Sequence, residues 1–378
     1  MSVIKDFVND IKKSVLLRIL VEVFSTFGLG FASFFFHKHD LELYKIMLIW
    51  AISPLASLPV VIFSNTWNIR KFLTIGLLSF TAMNLSLLFY NQFSYILFGI
   101  FNGIALGYFW VSNNYIFFLK STNAHHAKNM SINFALGPLI GIVIPPIGAI
   151  LIDSFNFKLF FLLTSVLSLV PLLYMRNDFF NHTMKQSFRE ADKAFSGLRL
   201  VAFFNGALHF FQGNFLAIYV LLYLKTEYEI SGMLSYLALM SLIVSFGLAY
   251  ASDKYEKRTT ILYPLLFIMA LLIILIPALK TLPGLITVIG IYAIFDNLSL
   301  PIRFAAPMDV VKPDIGFWRC EEVWGNLGRT IVFVIAAVLV YSENYWAAFG
   351  IFAIMTAVFP FIISFQINSL KNSLTDSV

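Results

Sequence analysis

Twelve runs of mostly apolar residues divide this chain, each close to the length of about 20 that a helix needs to cross a bilayer. They fall at 14–36, 41–63, 72–90, 94–118, 131–152 and 158–175, then at 198–224, 228–251, 261–279, 283–305, 321–341 and 345–367. In hydrocarbon a backbone finds no water for its N–H and C=O groups, so each run is expected as an α-helix that satisfies them internally. Composition agrees. Only 12% of the residues are charged, against about 25% in a soluble domain, so most of the surface must meet lipid. The first run is too long for the apolar part of a signal peptide and lacks a small-residue cleavage site. It is expected to stay as the first membrane helix.

Connections between the runs are short except at 176–197, a polar stretch of mixed charge. It is read as a cytoplasmic linker joining a first unit, 1–175, to a second, 198–378, with six runs in each. Lysine and arginine set the orientation. With the N-terminus in the cytoplasm, nineteen of them fall on the inner side and five on the outer, while Arg18 and Arg329 lie within runs. Such an inner excess is the rule for membrane proteins. Both termini are then cytoplasmic, and the expected location is the cytoplasmic (inner) membrane. The net charge of +6 is scattered between the runs rather than gathered into one patch, which argues against a nucleic-acid partner. Cys320 is the single cysteine, so neither an intrachain disulfide nor a cysteine-rich metal site is expected. No cofactor is expected either, and the chain is read as a monomer.

The six-plus-six layout suggests an internal duplication. Between the eighth and ninth runs stands Asp253-Lys254-Tyr255-Glu256-Lys257-Arg258, and between the second and third Thr66-Trp67-Asn68-Ile69-Arg70-Lys71. The two basic pairs are 187 residues apart, close to half the chain. Here the sequence resembles the major facilitator superfamily, whose signature in these loops is Gly-x-x-x-Asp-(Arg/Lys)-x-Gly-(Arg/Lys)-(Arg/Lys). The second loop matches at Asp253, Lys254, Lys257 and Arg258, with Ala249 and Glu256 in place of the glycines; the first keeps only Arg70 and Lys71. In the fifth run, Gly137-Pro138-Leu139-Ile140-Gly141 and Pro145-Pro146-Ile147-Gly148 resemble a Gly-Pro-x-x-Gly-Gly motif of the family's antiporters, although close packing and a kink explain them as well. The resemblance implies an all-α polytopic membrane protein of 12 transmembrane helices in two six-helix bundles. The bundles enclose a cavity near the bilayer midplane and open it alternately to each side. It also implies that the loop residues form a gating motif.

Ionisable side chains inside a membrane helix are costly and call for a reason. Runs three, six, nine and twelve have none in their interiors, whereas runs one, seven, ten and eleven hold nearly all of them. In the resembled fold the first, fourth, seventh and tenth helices line the cavity, and the third, sixth, ninth and twelfth face lipid. Residues at i, i+4 and i+7 share a helix face. Arg18, Glu22 and Ser25 have that spacing in the first run, Asn205, His209 and Gln212 in the seventh, and Glu322, Asn326 and Arg329 in the eleventh; Asp296, Ser299 and Arg303 follow at i, i+3 and i+7 in the tenth. At about 1.5 Å per residue, Glu22, His209, Asp296 and Arg329 lie roughly 10–15 Å into a core about 30 Å thick. One polar layer from several helices is what a solute or proton site needs, and it is also what helices use to hold one another by hydrogen bonds.

A carboxylate taken out of water loads and releases a proton under milder conditions than one in solvent. Asp296 or Glu22 is therefore the expected proton-coupling group. Arg329 is expected to neutralise it or to bind an anionic solute in a planar fork, and His209 to relay protons or donate a packing bond. Gly-x-x-x-x-Gly-Lys-Ser/Thr, His-Glu-x-x-His and Gly-x-Ser-x-Gly are absent from the sequence, and the outer loops are too short for a catalytic domain. A membrane enzyme or a channel therefore fits less well than a secondary transporter. The expected function is proton-coupled movement of a small solute by alternating access. Efflux of an amphipathic compound leads, and import or exchange of a small organic anion on Arg329 or Arg18 is the alternative.

Overall fold

The computed structural model describes residues 2–118, 126–175, 180–244 and 258–375. Among these residues every regular element is helical except two three-residue strands. The first half contains α1 (Ser2–Lys38), α2 (Leu43–Ile62), α3 (Ile69–Ser86) and α4 (Gln92–Phe118), then α5 (His126–Gly141), α6 (Ile144–Phe155), α7 (Phe157–Leu167) and α8 (Val170–Tyr174). The linker region carries α9 (Phe188–Ala194). The second half contains α10 (Arg199–Phe210), a π turn at Phe211–Phe215, and α11 (Leu216–Tyr219), then α12 (Glu227–Val244), α13 (Arg258–Leu275), α14 (Leu282–Met308), α15 (Ile315–Tyr341) and α16 (Tyr345–Thr375).

Nine helices among the described residues are long and apolar enough to cross a membrane, or ten if the pair Phe188–Ala194 and Ser196–Leu222, bent by 63°, counts as one span. Two of the twelve expected spans are outside that set. α3 takes Arg70 and Lys71 into its first turn. α12 opens with Glu227 and Glu229 and runs towards residues 245–257, which lie outside the described residues.

The fifth run breaks in two. α6 begins just before Pro145 and Pro146, whose rings lack an N–H and clash with the carbonyls four residues back. In the seventh run the π turn sits in the middle of the span, where such turns often mark functional positions.

Small residues let helices meet backbone to backbone in a membrane. Each half contains such a pair: a Cβ on Gly103 of α4 would collide with the Ser53 carbonyl of α2, and one on Gly206 of α10 with the Gly325 carbonyl of α15. Across the halves, α2 packs on α15, α12 on α5 and α6, and α14 on α5. The outward faces are apolar. Leu173 on α8, Leu271 on α13 and Phe365 on α16 are exposed, which agrees with a lipid-facing role for the sixth, ninth and twelfth runs.

The linker is structured rather than a loose tether. β2 (Thr183–Lys185) pairs antiparallel with β1 (Thr66–Asn68), Thr66 opposite Lys185 and Trp67 opposite Met184. Ile69 N–H donates to His182 O at 2.9 Å and Gln186 N–H to Asn65 O at 3.2 Å, extending the ladder on both sides. We call this the linker end of the molecule.

Candidate functional site

Three helices each carry an arginine that closes on a carboxylate of its own helix. On α1, Arg18 Nη2 lies 3.1 Å from Glu22 Oε1, four residues on. On α14, Arg303 Nη2 lies 2.6 Å from Asp296 Oδ1, with both side chains 0% exposed. On α15, Arg329 Nη1 lies 3.2 Å from Glu322 Oε1. Spacings of four and seven put the partners on one face of their helix. The pairs neutralise buried charge locally, which is the condition for keeping charge in a low-dielectric interior.

Neighbouring helices complete the first and third pairs. Arg18 Nη1 donates to Asn133 Oδ1 of α5 at 2.8 Å, and its guanidinium lies 4.4 Å above the ring of Trp110 on α4. Asn133 in turn reaches Asn114 of α4 at 3.4 Å. On α15, Asn326 Nδ2 donates to Glu322 Oε1 at 2.9 Å, and Arg329 Nη1 donates to Asn326 Oδ1 at 2.5 Å. The same Nδ2 donates to Ser57 Oγ of α2 at 2.9 Å, so the third pair is tied across the two halves.

His209 on α10 stands on the seventh run, between aromatic rings from both halves. Its ring lies 6.4 Å from Phe134 of α5 and 6.4 Å from Phe304 of α14. Several donors here have no hydrogen-bond partner among the described residues, including Arg18 Nε, Arg329 Nε and Arg303 Nη1. Such unpaired buried groups cost free energy.

The charges singled out by spacing form these pairs, with partners that differ from the expected ones. Arg329, expected beside the coupling carboxylate, has Glu322 for its partner, while Asp296 belongs to Arg303. Asp296 is also walled inside the second half. Ser299 one turn on faces Met269 of α13 at 3.7 Å, and Tyr292 one turn back meets the Phe211 ring at 5.5 Å. Glu22 keeps 14% side-chain exposure. Gln212 stands on the π turn, half-buried, and Gly213 beside it has open space where a Cβ would be.

The loop residues divide likewise. Arg70 Nε donates to Met175 O at 2.7 Å, and Arg258 Nε reaches Asp309 Oδ2 at 2.8 Å, each within its own half. The Lys71 side chain is exposed, and its N–H is capped by Asn68 Oδ1 at 2.8 Å. Asp253, Lys254 and Lys257 lie outside the described residues.

Two buried groups stand outside the residues singled out by spacing. Glu321 stands at the start of the eleventh run. In the structure it is 7% exposed, its Oε1 has no partner among the described residues, and it lines a cavity about one water molecule wide with Asn205. Arg319, one of the nineteen basic residues placed on the inner side, is 1% exposed within α15. A local signal existed: Asp314 caps the helix by accepting the Phe317 N–H at 2.9 Å, and Pro-Asp before an apolar run marks a helix start.

The family decides what such a layer belongs to. Residues 15–317 match the Major Facilitator Superfamily model. The chain is a member of the Major Facilitator Superfamily. Solved structures similar to this superfamily member include the human organic anion transporter MFSD10 (TETRAN), at 12% identity and TM-score 0.69, covering 94% of this chain and 99% of that one. A POT family transporter in complex with 5-aminolevulinic acid is similar at 14% identity and TM-score 0.69, covering 95% and 96%. FucP in the outward conformation is similar at 15% identity and TM-score 0.68, covering 94% and 98%. No curated protein sequence matches the chain. Family and fold point to a multi-pass transporter rather than an enzyme.

Proposed function

We propose that this superfamily member moves a small organic anion together with protons by alternating access. The observation that carries the reading is the pair of self-closed units, Arg18–Glu22 from the first half and Glu322–Arg329 from the second, the latter tied to Ser57 of the first half through Asn326. Protonating the carboxylate of such a unit removes the charge that holds its guanidinium. The freed guanidinium then needs an acceptor, and an anionic solute supplies one in a planar fork. Proton and anion therefore enter as a neutral couple, which lowers the cost of crossing a low-dielectric interior.

Glu22 and Glu322 are better coupling candidates than Asp296, because Asp296 is enclosed within the second half and bound to Arg303. The amphipathic-efflux reading rests on the aromatic neighbours Trp110, Phe134 and Phe304. A charged, closely packed layer favours the small anion. The linker end is taken as cytoplasmic on the lysine and arginine bias, the membrane as the cytoplasmic one and the protein as a monomer.

The test is thermal unfolding of the purified protein against small mono- and dicarboxylates and against amphipathic cations. A ligand of the native state raises the unfolding temperature. Small anions should stabilise, more strongly as pH falls, and Glu22→Gln combined with Glu322→Gln should remove the pH dependence while keeping the anion effect. Stabilisation by amphipathic cations alone would overturn the anion reading.

A further inference from the structure

Arg319 lies where three segments meet at the linker end. Its Nη2 donates to Val61 O at 2.9 Å and to Ile62 O at 3.4 Å, its Nε to Val61 O at 3.3 Å, and its Nη1 to Gln186 O of the linker at 2.8 Å. The guanidinium is flanked by Trp67 and Phe188, with ring centroids 5.5 and 5.6 Å away. The last carbonyls of a helix have no partner within it and carry the negative end of its dipole. A cation of the second half is thus seated on the negative end of α2 in the first half.

The linker completes the seat. Pairing of β1 with β2 holds Gln186 under Arg319, and Gly316 gives the Gln186 side chain room, since a Cβ there would lie 2.6 Å from its amide nitrogen. Thr66, 187 residues before Asp253, has no carboxylate to offer at the corresponding place in the first loop. The loop contributes an edge for the linker strand instead.

We propose that Arg319, held by the linker strand, is the positioning residue that keeps the linker end closed: bonds from its guanidinium must break before α2 and α15 separate. This rests on the alternating-access reading. No solute is needed to test it. Cys320→Ala gives a cysteine-free chain, into which one reporter is placed. Ser57→Cys reports on the α2–α15 seam, where Ser57 is buried against Asn326. Ser235→Cys reports on the α12–α5 seam towards the other end, where its hydroxyl donates to Ile142 O at 3.0 Å.

With a small maleimide as probe and protein in lipid vesicles, Arg319→Ala should speed labelling at Ser57→Cys by about tenfold or more, the equivalent of one charge-assisted bond. Labelling at Ser235→Cys should fall. Arg319→Lys keeps the charge without the fork and should give a smaller rise, and Gln186→Pro, which deletes the amide donated to Asn65 O, a rise of the same sign. These two carry the test if the alanine variant does not fold. Unchanged labelling at Ser57→Cys in all three variants overturns the role of Arg319 and leaves alternating access standing. A rise at both reporters means general loosening and also overturns it. A rise at Ser57→Cys with Ser235→Cys unchanged supports the latch and contradicts coupled opening of the two ends.

Discussion

The two ends of the interface between the halves are built from different materials. At the linker end the crossing contacts are buried: Arg319 on the α2 carbonyls, Asn326 on Ser57 at 2.9 Å, and the Trp318 ring 5.3 Å from Phe118. At the opposite end they are solvated. Lys38 of α1 pairs with Glu227 of α12 with its side chain 46% exposed, Tyr228 donates to Asp153 at 2.9 Å, and the Tyr44 and Tyr341 rings lie 4.9 Å apart. A hydrogen bond to a buried charged group contributes about 1.5–3 kcal/mol, whereas an exposed ion pair contributes about 0.2–1 kcal/mol and weakens in salt. The linker end should therefore be the harder one to open, and the resting protein should open more readily at the other.

The largest break in this contrast is expected from Trp318→Ala. It removes a fully buried ring between α15 and α4, and such truncations cost about 3–5 kcal/mol. Thermal unfolding should show the loss, with faster cysteine labelling at the linker end. Asn326→Ala comes next. It deletes the Ser57 bond and leaves Glu322 and Arg329 short of a partner, so a cost of about 1–3 kcal/mol is expected, again read as linker-end labelling. Lys38→Met should be the smallest, at most about 1 kcal/mol. Its effect on labelling of the opposite end should vanish near 1 M salt, where charges are screened beyond about 3 Å. An effect of Lys38→Met as large as that of Trp318→Ala would remove the asymmetry.

The same contrast explains what could be read from residues alone. The apolar runs were legible because lipid imposes length and composition on every span. The Arg18–Glu22 and Glu322–Arg329 pairs were legible as spacings, since each closes within one helix. Partners supplied by another helix were not: nothing local to Asn133 or Ser57 distinguishes it from other polar residues in a span. Asp296 shows the limit of spacing, which put it on one face with Ser299 and Arg303 but did not show that this face is enclosed within the second half, where Ser299 meets Met269. The burial of Arg319 was not legible, because the α2 carbonyls and the linker segment that cover it are distant in sequence, although the Asp314 cap marks the helix that carries it. The strands at 66–68 and 183–185 are too short to carry a period-2 signal, and their pairing depends on the fold around them.

The central claim is that two halves rock about a layer of arginine–carboxylate units, with protons shifting the balance. Paired spin labels in lipid vesicles test it most directly, using Lys71→Cys with Lys312→Cys across the linker end and Glu42→Cys with Ser342→Cys across the opposite end, all exposed positions. Lowering the pH should change the two distances in opposite directions, and Glu22→Gln with Glu322→Gln should abolish the response. Distances that stay fixed, or that widen together at both ends, would contradict it.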